Sequence, residues 1–427
     1  MMGEWVEQKW YPSDAPALPR RSRKAGRYLA YVPDRLDSPT PPVSRAVATR
    51  AAELESRIVE LTGRHPGATR GIEGVSRFLL RSEALASSKI EGMTPGPDKV
   101  AIAELVGRDN VGGFSRTAAL VASNVAVLRG LGAGDPARPL TVADIVDMHA
   151  RLLDQERLTG LRTVQNWIGG SDWHPIDAAY VPPPPSEVPD LMQDLVDYLN
   201  SSIHGPLLQA GIVHAQFETI HPFVDGNGRI GRALIHEVLH RRHLLPVAML
   251  PVSMVLGTWS REYIAGLTAY RDDGLPDRVD RWLSVFLDAV AGALDQVERL
   301  SGELAELRED WRDRIRRDRL TRGLPAEPRA DAVDLRILDG LPDLPVLTAA
   351  VAAEEYGVSA TAARGGLDRL ADAGILRSRS VGKGIRGYFA DELLDLIIIA
   401  ERRLASTRFD TAVAPPRRGV PVHPDRR

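Results

Sequence analysis

One twelve-residue stretch, 221–232, carries the residue types needed to bind phosphate and to move a proton. It reads HPFVDGNGRIGR. Gly226, Asn227 and Gly228 allow the backbone to bend tightly and to bring bare N–H groups close to an anion. The apolar residues after them recur every four positions and predict an amphipathic helix. A glycine-bearing loop that enters a helix N-terminus favours negative charge, so this stretch predicts an anion site.

Four ionisable side chains lie within the same stretch. Arg229 and Arg232 fall in the first helical turn, where cations oppose the helix dipole and a bound anion would remove that cost. Asp225 offers a hard oxygen ligand, suited to a Mg²⁺ that bridges phosphates. His221 has an ordinary pKa near neutrality and could accept a proton at working pH. Each residue alone also fits a structural role in a turn or on a solvated helix, but their combination argues against chance.

The stretch resembles the core motif of the Fic family, HxFx(D/E)GNGRxxR, and matches it at every specified position. Fic proteins are all-helical enzymes that move AMP from ATP to a hydroxyl side chain of a target protein. The resemblance implies that His221 is the general base, that Asp225 holds Mg²⁺ or Mn²⁺, and that Phe223 anchors the loop in the core. It also implies that the loop and its arginines bind the ATP phosphates through Gly226, Asn227, Gly228, Arg229 and Arg232.

The type of reaction follows from one position of this motif. A relative that phosphorylates its target has lysine where this chain has Gly228, so glycine favours AMP transfer over phosphate transfer. The resemblance therefore implies a protein adenylyltransferase, a nucleotidyltransferase that modifies a target protein and itself. Such a reaction needs positioning, charge neutralisation and a base, which the residues of this stretch can supply.

A second stretch, 87–92, reads SSKIEG and ends a helical pattern. Ser87 and Glu91 are four residues apart and share a helix face, and Gly92 can cap the helix end. Residue types alone favour a surface glutamate on an amphipathic helix. The stretch also resembles the Fic inhibitory motif (S/T)xxxE(G/N), here N-terminal to the core. The resemblance implies that Glu91 pairs with Arg232, occupies the γ-phosphate position and inhibits transfer; in some relatives this glutamate serves AMP removal.

Residues 162–183 lie between two predicted helices and contain strand-like residues such as Trp167 and Ile168, followed by glycines and a PPPP run. Composition alone predicts a proline-rich connector. The resemblance to Fic proteins implies instead a β-hairpin flap that clamps a segment of the target by strand pairing. Tyr180 and Val181 are then expected on the target side of this flap.

Composition excludes several classes of function. The chain has 427 residues and a net charge of −3, so no global charge points to nucleic acid. It has no cysteine, which excludes disulfides, thiolate nucleophiles and Cys-based zinc sites. The longest apolar run, 244–256, falls short of the roughly twenty residues that span a membrane. We expect a cytoplasmic protein without membrane association, in which His214 and His174 are structural.

A separate unit near the C-terminus, 335–389, resembles a winged-helix domain, because a helix-turn-helix precedes two short strands. Acidic residues dilute its basic face, and winged helices also dock proteins, so DNA binding and protein docking both stay open. The charged helix after Glu298 could bridge domains or form a homodimer. The basic residues expected to contact phosphates are Arg364, Arg369, Arg377, Arg379, Lys383 and Arg386.

The predicted fold class is mainly α: an all-helical Fic core with a short β-hairpin flap, plus a C-terminal winged helix-turn-helix domain. Two alternatives to the self-inhibited transferase are a de-AMPylase and a DNA-binding transcriptional regulator that uses the Fic domain as a nucleotide sensor; the complete core motif favours the transferase. The predicted segments are an extended arm (1–45), a helical region with the inhibitory helix (46–130), the Fic core (131–300), a charged linker helix (301–330), the winged-helix domain (331–392), and a helix end with a disordered tail (393–427).

Overall fold

Helices dominate the described part of the chain, which confirms the mainly α prediction. The structure is a computed structural model. The residues that it describes are 3–11, 24–37, 40–63, 69–132, 135, 137–153, 155, 158–245, 249–329 and 331–407. The predicted C-terminal tail lies outside these residues.

The described part of the chain contains fifteen α-helices and five strands. In chain order the elements are β1 (Glu4–Trp10), β2 (Gly26–Val32), α1 (Arg45–Gly63), α2 (Thr69–Ile90), α3 (Pro97–Ala103), α4 (Arg116–Gly130), α5 (Val142–Leu152), α6 (Val188–Leu199), α7 (Pro206–Ile220), α8 (Asn227–Arg241), α9 (Val252–Thr258), α10 (Ser260–Tyr270), α11 (Arg278–Thr321), α12 (Val333–Gly340), β3 (Val346–Thr348), α13 (Ala349–Tyr356), α14 (Ala360–Asp372), β4 (Arg377–Gly382), β5 (Ile385–Phe389) and α15 (Asp391–Thr407).

The chain forms two compact units, and each is built from three separate segments. The domain segments expected from the sequence stay predictions. Helix α11 runs unbroken through residue 300, where the sequence placed the boundary between the Fic core and the linker helix. The first unit contains Met1–Thr62, Val127–Pro246 and Arg261–Asp288. The second unit contains Gly63–Ala126, Val247–Ser260 and Ala289–Arg427.

The core of the first unit is built around α7, which is buried on all sides after its first residue. A helix that is apolar all round belongs inside a protein rather than on its surface. The start of α11 packs on it at Gly211, where an added Cβ would meet Phe286 at 2.8 Å. The indole of Trp282 donates a hydrogen bond of 2.7 Å to the Gly211 carbonyl. This packing fixes the helix that leads into the stretch 221–232.

The N-terminal segment, expected as an extended arm, contains an antiparallel pair of strands in the first unit. β1 pairs with β2, so that Trp5 lies opposite Tyr31. Tyr31 is fully buried, and its hydroxyl donates to Asp273 at 2.9 Å. The pairing was not predicted, because no short turn signal links the two strands.

The C-terminal part of the second unit contains the elements expected of a winged helix. Helices α12, α13 and α14 accompany a three-stranded antiparallel sheet in the order β3-β5-β4. Ser359 caps α14 by accepting a hydrogen bond of 3.2 Å from the Ala362 N–H. Gly374 ends that helix in the left-handed region, with φ of 73°. The assignment of this part to the winged-helix family stays a prediction.

A membrane-crossing helix is not found in the part of the chain that the structure describes, because no helix there is both long and apolar enough.

Candidate active site

The stretch 221–232 forms a sharp corner between two core helices of the first unit. Helix α7 ends at His221, which adopts the left-handed region with φ of 50° and ψ of 59°. Its N–H donates to the Phe217 carbonyl at 2.8 Å. Helix α8 begins at Asn227, preceded by Gly226 with φ of 83° as its N-cap. The predicted turn into a helix N-terminus is therefore confirmed.

Glycine is required at position 226 for two independent reasons. A positive φ is costly for residues with a Cβ. A Cβ at Gly226 would also lie 3.1 Å from Leu152 and 3.5 Å from the ring of His149. The backbone here passes so close to α5 that a side chain would push the loop outward.

Asn227 holds the loop closed through both ends of its side-chain amide. Its Oδ1 accepts from the Phe223 N–H at 2.8 Å, and its Nδ2 donates to the Phe223 carbonyl at 2.8 Å. The expected phosphate contact from this amide stays a prediction, and the second N–H of Nδ2 would have to make it, because the other one already bonds the backbone. Asn227 shapes the loop that presents N–H groups. Phe223 is fully buried and is the core anchor that the resemblance implies.

His149 on α5 supports the loop from the opposite side. Its ring stacks on Phe223 with a centroid distance of 3.7 Å and an interplanar angle of 2°. Its Nε2–H donates to the Asp225 carbonyl at 2.8 Å. Burial lowers the pKa of this imidazole, so His149 is neutral at physiological pH and keeps its proton on Nε2. This histidine therefore fixes the backbone beside the expected metal ligand.

Arg162 ties the base of the flap segment 162–183 to the catalytic corner. Its side chain is almost completely buried. The guanidinium donates to the carbonyls of His221 at 2.9 Å, Pro183 at 2.5 Å and Ile220 at 3.4 Å. Burial lowers its pKa to about 10, so it stays charged at neutral pH. A buried cation is here solvated by carbonyl oxygens, which hold the backbone of His221 in place.

Asn166 adds a second link between the flap segment and the corner. Its side-chain amide donates to the carbonyls of His221 at 3.2 Å and Phe223 at 2.9 Å. The flap segment itself contains a single antiparallel bridge, between Ile168 and Tyr180, in place of the expected hairpin strands. Proline-rich sequence on one side of the bridge limits the number of ladder hydrogen bonds.

Tyr180 and Val181 were expected on the target side of the flap, and that role stays a prediction. Both side chains are buried in the first unit. The Tyr180 hydroxyl donates to the Thr219 carbonyl at 2.6 Å, and Arg271 lies 3.9 Å above its ring. Large exposed apolar residues of this region lie elsewhere, at Val164, Ile168, Trp173 and Val224. Strand alternation could not reveal this orientation, because the segment has only one bridge.

The expected base and metal ligand are accessible, whereas the expected phosphate-binding arginines are buried. The His221 side chain is 18% exposed and the Asp225 side chain is 63% exposed. Arg229 and Arg232 are buried near the start of α8, and Arg229 lies 3.6 Å from Asp225. Gly228, directly before Arg229, is also buried. Cations in the first turns of a helix add to the positive potential of its N-terminus.

Asp225 fits the donor set that Mg²⁺ prefers. The structure describes no cluster of three or more metal-ligating side chains. Mg²⁺ commonly binds one or two carboxylates and completes its shell with water and substrate phosphates, so a single exposed carboxylate beside an anion site is sufficient. Its Oδ1 accepts from the neighbouring Gly226 N–H at 2.6 Å, and that bond orients the carboxylate.

The helix expected to inhibit the enzyme, α2, belongs to the second unit. Ser87 is buried, Glu91 directly follows the helix, and Gly92 is left-handed with φ of 77°. The Gly92 N–H donates to the Lys89 carbonyl at 2.9 Å. The glycine cap is thus confirmed, since this geometry ends helices with a left-handed residue. The inhibitory role of Glu91 stays a prediction.

His214 is structural, as expected. It is fully buried in α7, and its Nε2 lies 2.9 Å from the Tyr263 hydroxyl. Burial lowers the pKa of its imidazole to about 3. His174 is also buried.

Sequence reasoning missed four residues that shape this site: His149, Arg162, Asn166 and Glu218. Glu218 places its carboxylate 3.8 Å from Nδ1 of His221. Its spacing of three residues from the histidine on one helix was a usable signal. The other residues lie far from the motif in sequence, and no local period marks them.

Similarity to known proteins is concentrated in the region of this site. Residues 139–239 match the model of the Fic/DOC family. The chain is 36% identical over 115 residues to the protein adenylyltransferase Fic of Drosophila willistoni, covering 25% of this chain and 21% of that protein. It is 28% identical over 248 residues to the protein of the same name from Drosophila ananassae, covering 55% and 44%. A probable protein adenylyltransferase of Aquifex aeolicus is 42% identical over 79 residues, covering 18% and 25%.

The chain thus spans less than half of the length of each of these relatives. Among solved structures, a Fic family protein from Desulfovibrio desulfuricans aligns with a TM-score of 0.48 at 22% identity, covering 82% of this chain and 97% of that one.

Proposed function

We propose, from the Fic/DOC family domain that this chain carries at residues 139–239, that the protein is an adenylyltransferase that moves AMP from ATP to a hydroxyl side chain of a target protein. One observation carries the proposal. An accessible histidine, His221, stands at a left-handed corner directly before a glycine-capped helix N-terminus with two buried arginines. The named relatives, which are adenylyltransferases, support the same reaction.

The chemistry assigned to the chain's own residues is proton transfer and anion binding. The hydroxyl oxygen of the target attacks the α-phosphorus of ATP, the bond to the β-phosphate breaks, and pyrophosphate leaves. His221 takes the hydroxyl proton through its accessible side chain. The backbone at Gly226–Gly228 and the arginines Arg229 and Arg232 stabilise the negative charge on the phosphates. A Mg²⁺ on Asp225 would neutralise further phosphate charge.

The flap segment 162–183 is proposed to receive the target. Its exposed apolar residues Val164, Ile168 and Trp173 offer the side chains for that contact. Main-chain hydrogen bonds to an extended peptide would add to them. The target is therefore expected to present its hydroxyl on an extended segment.

Self-inhibition by Glu91 is a second part of the proposal. The motif of Ser87, Glu91 and Gly92 supports it, together with the glycine cap that ends α2 at this glutamate. Removing the carboxylate should raise transfer strongly. An alternative role of the same glutamate is AMP removal from a modified target.

Transfer of radioactive label from ATP tests the reaction. Glu91→Gly protein is incubated with ATP labelled at the α- or the γ-phosphate, with and without a further His221→Ala change. We expect protein labelling from the α-label alone, and only when His221 is present. The matched control is His243→Ala, because His243 is the other described non-glycine residue with positive φ, 55°. Labelling from the γ-phosphate, or labelling that survives without His221, would contradict the proposal.

The DNA-binding alternative is less favoured, because most of the basic residues expected to contact DNA are neutralised within the second unit. Phosphate contacts would have to replace these ion pairs. The pairs are Arg369 with Asp334, Arg377 with Asp391, Arg379 with Asp98, and Arg386 with Asp368. Specific binding of a DNA duplex that weakens on Arg364→Ala or Lys383→Ala would restore this alternative.

A further inference from the structure

The carboxylate of Glu218 lies behind the imidazole of His221. The two residues are three apart at the end of α7, and Oε2 of the glutamate is 3.8 Å from Nδ1 of the histidine. The glutamate side chain is 8% exposed and the imidazole is 18% exposed. A carboxylate so close and so poorly hydrated interacts strongly with any charge that forms on the ring.

Helix α8 closes the space around this carboxylate. A Cβ built on Gly231 would lie 2.6 Å from Oε1 of Glu218 and 3.0 Å from the ring of Phe217. Gly231 occupies one of the unspecified positions of the motif, so the anion site does not require glycine there. The small residue leaves the room that the carboxylate occupies beside His221.

We propose that Glu218 is a positioning residue for His221: its carboxylate faces the Nδ1 side of the imidazole at 3.8 Å and stabilises the imidazolium that forms when Nε2 takes the proton of the target hydroxyl. The proposal rests on the adenylyl transfer proposed above. A neutral imidazole that carries its proton on Nδ1 leaves Nε2 free as the base. The positive charge created by proton uptake is then met by a carboxylate already in place, which costs no reorganisation.

Other charges around the pair come from three directions. The guanidinium of Arg162 bonds the His221 carbonyl at 2.9 Å. Arg271, just beyond the end of α10, donates to the Glu218 carbonyl at 2.9 Å. The beginning of α8 contributes Arg232, which is buried and directly follows Gly231, the residue that approaches the carboxylate. All three are cations that disfavour an imidazolium, so the carboxylate is the group among these that favours it.

Two substitutions act on the carboxylate in different ways. Glu218→Gln keeps the size and removes the charge. Gly231→Ala keeps the charge and displaces the carboxylate, because the added Cβ would lie 2.6 Å from Oε1; it would also crowd the rings of Phe217 at 3.0 Å and His214 at 3.3 Å, so its urea midpoint is measured alongside. The matched control is Glu237→Gln, which removes another buried carboxylate, one paired with Arg241 at 2.7 Å.

The first readout is the titration of the His221 imidazole, followed by NMR without ATP. Glu218→Gln should lower its pKa by about one unit or more, since a neighbouring opposite charge typically shifts a pKa by 1–3 units. Gly231→Ala should lower it less, and Glu237→Gln should leave it unchanged. The second readout is self-labelling in the Glu91→Gly background. Glu218→Gln should reduce kcat about 10- to 100-fold, within the range of general-base effects, while KM for ATP changes little.

An imidazole that titrates at the same pH in Glu218→Gln and Gly231→Ala as in the parent would overturn the proposal, whatever the labelling shows. A loss of kcat in Glu218→Gln without a shift of the acid limb of the kcat–pH profile would show that Glu218 is only structural. That result would also overturn the proposal. A lowered pKa of the His221 imidazole in Glu218→Gln, without self-labelling in the parent, would support the pairing of Glu218 with His221. It would refute the proposed adenylyl transfer instead. If Glu218→Gln fails to fold, the titration of Gly231→Ala decides alone.

Discussion

Replacing Arg162 by methionine should loosen the catalytic corner and destabilise the first unit. Methionine keeps the length of the side chain but has no donor. The change would leave the carbonyls of His221 and Pro183 without their hydrogen bonds of 2.9 Å and 2.5 Å, and would also remove the weaker contact to Ile220 at 3.4 Å. The bonds to Pro183 and Ile220 are buried and the bond to His221 is partly buried, so water replaces the lost donors poorly.

The expected loss in the free energy of unfolding follows from the two short hydrogen bonds. Hydrogen bonds from a charged group are worth about 1.5–3 kcal/mol each. Two of them give a gross loss of about 3–6 kcal/mol, and the removal of a buried cation returns part of it. We expect a net loss of about 3 kcal/mol in the free energy of unfolding, a large share of the roughly 5–15 kcal/mol of a typical domain. A shift of about 1 Å in His221 should also lower kcat about 100-fold.

Urea denaturation of the full chain measures the stability, and self-labelling in the Glu91→Gly background measures kcat. Arg281→Met is the control, because this arginine forms an exposed ion pair with Asp277 at 2.8 Å and should change neither value. Arg162→Lys should recover only part of the loss, since an ammonium cannot match the planar fork of a guanidinium. An Arg162→Met protein that unfolds at the same urea concentration as the parent would refute this reasoning.

Three further predictions concern buried polar groups. His149→Phe keeps a stacked ring but loses the bond to the Asp225 carbonyl, and thermal unfolding should report a loss of about 1–2 kcal/mol. His214 has its pKa lowered to about 3 by burial, so the unfolded chain binds the proton first as pH falls. Its contribution to the free energy of unfolding is complete above pH 6.5 and decreases below that value, by about 3 kcal/mol at pH 4.5. Urea denaturation above pH 6.5 and at pH 4.5 should show a smaller loss of stability in His214→Asn than in the parent. Arg81→Met should cost about 3–5 kcal/mol in urea, because it removes the guanidinium that pairs at 2.8 Å with the buried carboxylate of Glu104.

Each of these predictions has its own control. An unchanged melting temperature in His149→Phe would mean that the bond to the loop contributes nothing. His243→Asn, at an exposed histidine, should keep the acid sensitivity of the parent; an equally steep loss in His214→Asn would place that sensitivity elsewhere. Removing both charges, with Arg81→Met and Glu104→Leu together, should restore much of the stability. A double variant as unstable as Arg81→Met alone would show that the cost does not come from a buried carboxylate that has lost its guanidinium partner.

The residues of the catalytic corner could be predicted because the motif is local. The glycines at 226–228 and the apolar period after them fix both the turn and the start of α8 within a few residues. The glycine that caps the end of α2, Gly92, could be predicted for the same reason. His149 was not, because it reaches the Asp225 carbonyl from a helix that lies 76 residues away in sequence. Contacts of that kind depend on tertiary packing, which leaves no period in either segment.

The roles of Asn227 and Tyr180 show a second limit. An asparagine next to two glycines suits a phosphate loop, but only the structure reveals that both ends of its amide bond the backbone of Phe223. Tyr180 belongs to a segment with a single bridge, so no alternation indicated that its ring turns inward to Arg271. Residue type predicted the chemistry of the site well. It could not tell which groups act on a ligand and which ones hold the loop.

The measurement that tests the central claim most directly is peptide mass spectrometry of the Glu91→Gly chain after incubation with unlabelled ATP and Mg²⁺. We expect AMP adducts on serine, threonine or tyrosine hydroxyls in this variant. The adducts should be absent when His221 is replaced by alanine and retained when His243 is replaced. Absence of any adduct while ATP binding is measurable, or adducts that form equally without His221, would contradict the assignment of this corner as the site of adenylyl transfer.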